Sequence, residues 1–231
     1  EMYVKYQKEL FIGAAHELKT PLAVMKLKSE VALIKERSPE KYQETLKLFI
    51  DEINGMDKMI SSILDIGRQE GAQFENPIEL DIVEFIKNKV NNYQLLAKAK
   101  NININFSSNI IEFTTFIQPT LLNHILQNFV QNAIKFTFEN KNITIDLCTE
   151  SDCVVIKIID EGLGINEKED LFAPFKRIGD KEGAGLGLFL AKSAADAMGS
   201  EISIYNRKDN KAGAVAQLKI HTNPTCKLKV T

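Results

Sequence analysis

The chain has 231 residues, 44% of them hydrophobic and 26% charged, which is material for one large core or two smaller ones. Lys plus Arg (29) nearly balance Asp plus Glu (31), leaving a formal charge of −2. No electrostatic excess therefore draws the whole chain to phosphate backbones or anionic lipid, and nucleic acid is set aside as a partner. The three cysteines, Cys148, Cys153 and Cys226, are odd in number and lack CxxC spacing, so they read as reduced, packing thiols in a cytosol-like compartment.

No run approaches the roughly 18 apolar residues of a membrane span, and no basic-then-apolar signal peptide opens the chain. Glu1 already lies inside a helical pattern without an initiator Met. The sequence reads as a piece of a longer chain, with membrane contact only through segments upstream of it.

From about Lys5 to Ile66 the pattern predicts two helices joined near Arg37, Ser38 and Pro39, a helical hairpin. In the second arm Leu46, Phe49, Ile53, Met56, Ile60 and Ile63 recur at alternating spacings of three and four, the seam of a coiled coil. The first arm carries two stripes, Val24, Leu27, Val31 and Ile34, and Phe11, Leu18 and Met25. A lone hairpin buries one stripe per arm, so the second predicts a homodimer closing as a four-helix bundle.

Gln69 to Pro77 breaks the helical period and reads as a linker between residues 1–70 and 71–231. Asp81 and Glu84 then have capping-box spacing and open a helix to about Lys98. Strands are expected at Ile102–Phe106 and Ile110–Phe116. Pro119 opens a helix whose apolar face runs through Leu122, Ile125, Leu126, Phe129, Val130, Ala133 and Ile134. Strands at Ile143–Thr149 and Cys153–Ile159 follow. A Gly-rich stretch from Glu161 to Gly187 leads into a helix to about Met198, and strands near Glu201–Asn206 and Ala214–His221 close the chain. The fold class expected is multidomain, a helical hairpin followed by an α/β (α+β) sandwich rather than a doubly wound sheet.

Four segments carry candidate chemistry. In Phe11-Ile-Gly-Ala-Ala-His16-Glu17-Leu18-Lys19-Thr20-Pro21-Leu22, a proline sits one turn past a His-Glu pair, where an interior proline costs about 3 kcal/mol. A neutral imidazole offers one nucleophilic nitrogen, and a carboxylate beside it can take the proton from the other. In Asn128-Phe-Val-Gln-Asn132-Ala-Ile-Lys135-Phe136-Thr137, two amides four apart face one side of an otherwise apolar helix. In Asp160-Glu-Gly162-Leu-Gly164-Ile165, glycines let the backbone approach a flat ligand, and an Asp at a strand end can accept a hydrogen bond from an exocyclic amine. Gly183-Ala-Gly185-Leu186-Gly187-Leu188 opens a helix, whose free N–H groups favour phosphate. It is neither a Walker loop nor a Rossmann fingerprint.

Singly, each segment has a bland reading: a surface histidine, solvated amides, a turn. Together, and in this order, they resemble sensor histidine kinases. The stretch from His16 to Leu22 matches the phosphoacceptor box, Asn128–Thr137 the N box, Asp160–Ile165 the G1 box, Leu171-Phe172-Ala-Pro174-Phe175-Lys-Arg177 the F box, and Gly183–Leu188 the G2 box. The resemblance implies a dimerisation and phosphotransfer hairpin (1–70) followed by a Bergerat-type ATP-binding domain (71–231).

The resemblance further implies that His16 is phosphorylated from ATP and passes the phosphoryl group to an aspartate on a response regulator receiver domain, with Glu17 orienting and deprotonating the ring. Asn128 and Asn132 would hold Mg²⁺, Lys135 phosphate, Phe136 the adenine face and Asp160 its amine. Gly162, Gly164, Gly183, Gly185, Leu186 and Gly187 would line the nucleotide. Phe172 and Phe175 would pin a mobile lid from which Arg177 reaches the phosphates. Glu17-x-x-Thr20 is similar to the motif with which such kinases also dephosphorylate their partners, although Thr20 can equally bond a carbonyl before Pro21. The implied setting is the cytoplasmic portion of an inner-membrane sensor. Ala15, Gln118 and Ala184 depart from the family pattern. A degenerate, noncatalytic dimeric scaffold and an ATP-driven conformational machine are the competing readings.

Overall fold

The computed structural model describes residues 2–72, 74–176, 185–222 and 226–230. The chain divides into two compact units, Glu1–Arg68 with Ala173–Gly187, and Gln69–Phe172 with Leu188–Thr231.

The first unit is built on a helical hairpin, α1 (Met2–Leu33) and α2 (Pro39–Ala72). Pro39 opens α2, where its missing N–H costs nothing. Arg37 in the turn donates from Nη2 to the Val31 carbonyl at 3.1 Å, satisfying an acceptor that the end of α1 leaves open. α1 runs on through Pro21, at the expense of the amide that would have served the Glu17 carbonyl. In α2, Phe49, Met56 and Ile63 are half-buried, while Leu46, Ile53 and Ile60 stay 58%, 46% and 45% exposed. One half of the heptad seam thus packs and the other faces outward.

The second unit is a two-layer arrangement of β1 (Ile78–Asp81), α3 (Ile82–Lys98), β2 (Asn103–Ser108), β3 (Ile110–Ile117), α4 (Pro119–Phe136), β4 (Asn142–Glu150), β5 (Cys153–Ile159), α5 (Gly187–Ala197), β6 (Glu201–Asn206), β7 (Ala214–His221) and β8 (Lys227–Val230). Five strands form a sheet in the order β2-β4-β5-β7-β6, parallel only between β2 and β4. An antiparallel sheet, β1-β3-β8, stands separately. Val154, Ile156 and Ile158 alternate along β5 toward the helices, where they join Leu122, Ile125 and Phe129 of α4, Ile86 of α3 and Ala191 of α5 in one core.

Asp81 caps α3, its Oδ1 accepting from Val83 N at 3.0 Å and also from Phe113 N at 3.3 Å, so one carboxylate ties the helix to β3. Two short strands, β1 and β8, go beyond the sequence expectation, and α2 reaches Ala72 into the expected linker. Every residue of β8 is exposed, so its strand conformation comes from pairing with β3 and not from burial of Leu228 and Val230.

Gln118, at the N-cap of α4, makes no side-chain capping bond. Gln118→Asp supplies an acceptor for the first-turn amides and a charge suited to the helix N-terminus. It is expected to stabilise the domain by about 1 kcal/mol, read as a higher denaturant midpoint at unchanged slope.

Candidate functional site

His16 and Thr20 lie on the exposed side of α1, four residues apart, with Glu17 half-buried between them. Thr20 Oγ1 donates to the His16 carbonyl at 3.4 Å, a long bond across one turn of helix. The hydroxyl is thereby held on the same helix face as the imidazole.

In the second unit, the end of β5 delivers Asp160 into a setting made by four separate segments. Its carboxylate is buried, and Oδ1 accepts from Gly162 N at 2.8 Å and Ala214 N at 3.0 Å. Burial pushes the carboxyl above the usual carboxylate range, against the two amides and the nearby Arg207, which lower it. Arg207 donates to the Asp160 carbonyl at 3.2 Å and lies 3.8 Å from the Glu161 carboxylate. Both amide bonds fall on Oδ1, and among the described residues Oδ2 accepts none.

Close backbone approach explains the glycines here. A Cβ on Gly162 would stand 2.6 Å from the Phe136 carbonyl oxygen, across a bridge that pairs Gly162 with Thr137 at the end of α4. Gly164 has φ +79°, and a Cβ there would meet Asn206 Oδ1 at 2.5 Å. Asn206 clamps the loop, its Oδ1 accepting from Ile165 N at 2.8 Å and its Nδ2 donating to Ile165 O at 2.9 Å.

Asn128 and Asn132 share one side of α4 with Lys135 and Phe136, all four half-buried. The Asn128 Nδ2 donates to the His124 carbonyl at 2.9 Å, which aims its Oδ1 away from the helix backbone. Asn132 makes no side-chain bond among the described residues, so both amide oxygens remain to a hard cation. Lys135 Nζ sits 5.1 Å from the Phe136 ring centre. Thr137 Oγ1 is buried with no partner among the described residues, an atom that wants a ligand or water.

The structure thus brings Asp160, Gly162, Gly164 and Phe136 together, with Asn128, Asn132 and Lys135 along the adjoining helix. Gly185 adopts φ +70°, Leu186 is buried, and Gly187 begins α5. Arg177 and Gly183 lie outside the described residues, as does the rest of 177–184, so the expected lid is described only as far as residue 176. Of the F-box aromatics, neither Phe172 nor Phe175 enters the core. Both are half-buried, and Leu171 between the G1 loop and Phe172 is the buried one.

Sequence reasoning missed Thr137, Asn206, Arg207 and Gly213 as parts of this site. A Cβ on Gly213, at φ +130°, would collide with the Asp160 carbonyl oxygen. The one available signal was the lone glycine in Lys-Ala-Gly-Ala before a strand.

Comparison with known proteins agrees with this geometry. Residues 6–72 match the His Kinase A (phospho-acceptor) domain, and residues 117–224 match the histidine kinase-, DNA gyrase B- and HSP90-like ATPase family. Sensor protein CiaH of Streptococcus pneumoniae is 28% identical over 235 residues, 96% of this chain and 51% of CiaH. A sensor-like histidine kinase of Porphyra purpurea, ycf26, is 31% identical over 88% of this chain and 34% of its own length. Among solved structures, the catalytic domain of histidine kinase ThkA is 27% identical at TM-score 0.58, covering 65% of this chain and 98% of that domain. ThkA in complex with response regulator protein TrrA shares the fold over 96% of this chain and 64% of that one, at TM-score 0.71 and 22% identity.

A phosphoacceptor hairpin followed by an ATP-binding sandwich defines the class. The chain belongs to the sensor histidine kinases of two-component signal transduction and carries their catalytic core. It spans about half the length of CiaH, and no helix among the described residues is long and apolar enough to cross a membrane.

Proposed function

We propose that this chain autophosphorylates His16 from Mg²⁺-ATP and passes the phosphoryl group to an aspartate on a response regulator. The observation that carries the reading is the Asp160 carboxylate, buried with Oδ1 saturated by two backbone amides and Oδ2 left to accept from the adenine amine. Residues 1–70 act as the dimerisation and phosphotransfer domain and 71–231 as the ATP-binding domain. Asn128 and Asn132 hold Mg²⁺ through their amide oxygens, and Lys135 meets phosphate. Gly162, Gly164, Gly185, Leu186 and Gly187 let the backbone close on the nucleotide. Mg²⁺ supplies charge neutralisation on the phosphates.

The His16 ring attacks the γ-phosphorus with one nitrogen while Glu17 orients it and takes the proton from the other; the N–P bond forms as the β,γ-phosphoanhydride P–O bond breaks, and ADP departs. Arg177 and Gly183 are proposed at the phosphates from the resemblance alone. ThkA forms a complex with a response regulator, which supports the same kind of partner here, and the sensor relatives support a cytoplasmic core beneath an inner-membrane anchor. Incubation with γ-labelled ATP tests the reading. Acid-labile, base-stable label on the protein is the expected result. No label at all points to the scaffold reading, and released phosphate alone to the ATP-driven machine.

The outward half of the α2 seam supports a homodimer, because three exposed heptad residues leave an apolar stripe wet. In sedimentation at micromolar concentration the chain is expected as a dimer and Ile53→Asp as a monomer. A monomeric parent chain rules the bundle out.

Thr20 is proposed to orient the water that dephosphorylates the regulator. Its hydroxyl shares the helix face of His16, and its bond to the His16 carbonyl is long enough to exchange for a water. Thr20→Ala is expected to keep His16 phosphorylation but slow dephosphorylation of purified phosphorylated regulator by at least about tenfold. Equal rates would leave Thr20 only its helical bond.

A further inference from the structure

The five-stranded sheet carries, on the face turned away from the helices, three side chains that the kinase chemistry does not use. Cys153 opens β5, His221 at the end of β7 stands directly across from it, and Glu201 opens β6, one strand further over. The Cys153 Sγ lies 3.2 Å from His221 Nδ1, and Glu201 Oε1 lies 3.4 Å from His221 Nε2. The imidazole is therefore interposed between thiol and carboxylate, which puts the three groups in a row.

A row is not a metal site. Donors that hold a cation converge on one point, and among the described residues no group of three His, Cys, Asp or Glu side chains does so. The arrangement is that of a nucleophile, its base and the group that orients the base. A carboxylate 3.4 Å from Nε2 favours a proton on that nitrogen, the tautomer that leaves the Nδ1 lone pair to the thiol. Glu150, directly across from Cys153 on β4, would oppose negative charge on sulfur, but it is engaged by Lys157 at 2.5 Å and Lys219 at 3.4 Å.

We propose that Cys153 is a thiol-modification site that takes low-molecular-weight disulfides, with His221 as its base and Glu201 as the positioning residue for the ring. As Sγ attacks a disulfide R–S–S–R, its proton passes to Nδ1, the Cys153–SR bond forms and the R–S–S–R bond breaks. The leaving thiolate takes the proton back from the imidazolium and departs as RSH. Cys153 is oxidised to the mixed disulfide and one sulfur of the reagent is reduced. The other two cysteines are placed differently. Cys148 shares the sheet face, and burial pushes its thiol up. Cys226 packs against the core and donates to Thr115 Oγ1 at 3.2 Å.

The test exposes the intact, reduced chain to oxidised glutathione and follows each cysteine by peptide mass spectrometry. Cys153 is expected to form the mixed disulfide at least about tenfold faster than Cys148 or Cys226. His221→Gln should slow Cys153 by at least about tenfold with the other two unchanged, and those two rates report whether the variant is folded. Glu201→Gln, at an exposed position, should slow Cys153 by at least about threefold and serves if His221→Gln unfolds the domain. Cys153 reacting no faster than Cys148, or at an unchanged rate in whichever variant is folded, overturns the proposal.

Discussion

His16→Gln is expected to abolish covalent labelling from γ-labelled ATP while ATP affinity stays within about twofold of the parent. The carboxamide nitrogen has its lone pair delocalised into the carbonyl, so nothing at that position can attack phosphorus. Because His16 is exposed and its side chain makes no hydrogen bond among the described residues, the substitution should stay within the small range of surface changes. The adenine- and Mg²⁺-site residues Asp160, Asn128 and Asn132 lie in the other compact unit, where Asp160, Gly162 and Ala214 hold one another. Label on the variant at the parent's level would move the acceptor elsewhere. Loss of nucleotide binding would contradict the separation of acceptor and ATP-binding domains.

Asp160→Asn is expected to do the reverse. Asn Oδ1 can still accept from Gly162 N and Ala214 N, and the exchange removes the burden of burying a charge that pushes this carboxyl up. The domain should therefore remain folded, with a thermal midpoint within a few degrees of the parent. At the second position, however, an acceptor becomes an NH₂ donor, facing the donor amine of adenine. A buried, mismatched pair costs about 1–3 kcal/mol, so ATP should bind roughly ten- to a hundredfold more weakly. Calorimetric titration with a nonhydrolysable ATP analogue reads this directly. Unchanged affinity in a folded variant would mean that Asp160 holds the loop and does not read adenine.

What the sequence determined by itself was local or periodic. The heptad positions of α2, the opening of α4 at Pro119, the apolar run of β5 and the order of the motifs around His16, Asn132 and Asp160 are legible because each rests on neighbours within a turn of helix or a few residues of strand. The tertiary structure alone decided the rest. β8 alternates Lys with Leu228 and Val230 but buries none of them, and it exists because β3 offers it an edge. Gly213 matters because the Asp160 carbonyl, 53 positions earlier in the chain, occupies the space of its Cβ. Asn206 clamps Ile165 from 41 residues away, and Cys153, read from sequence as a packing thiol, meets His221 across 68 residues. Such contacts follow from strand order in the sheet, and no local spacing encodes them.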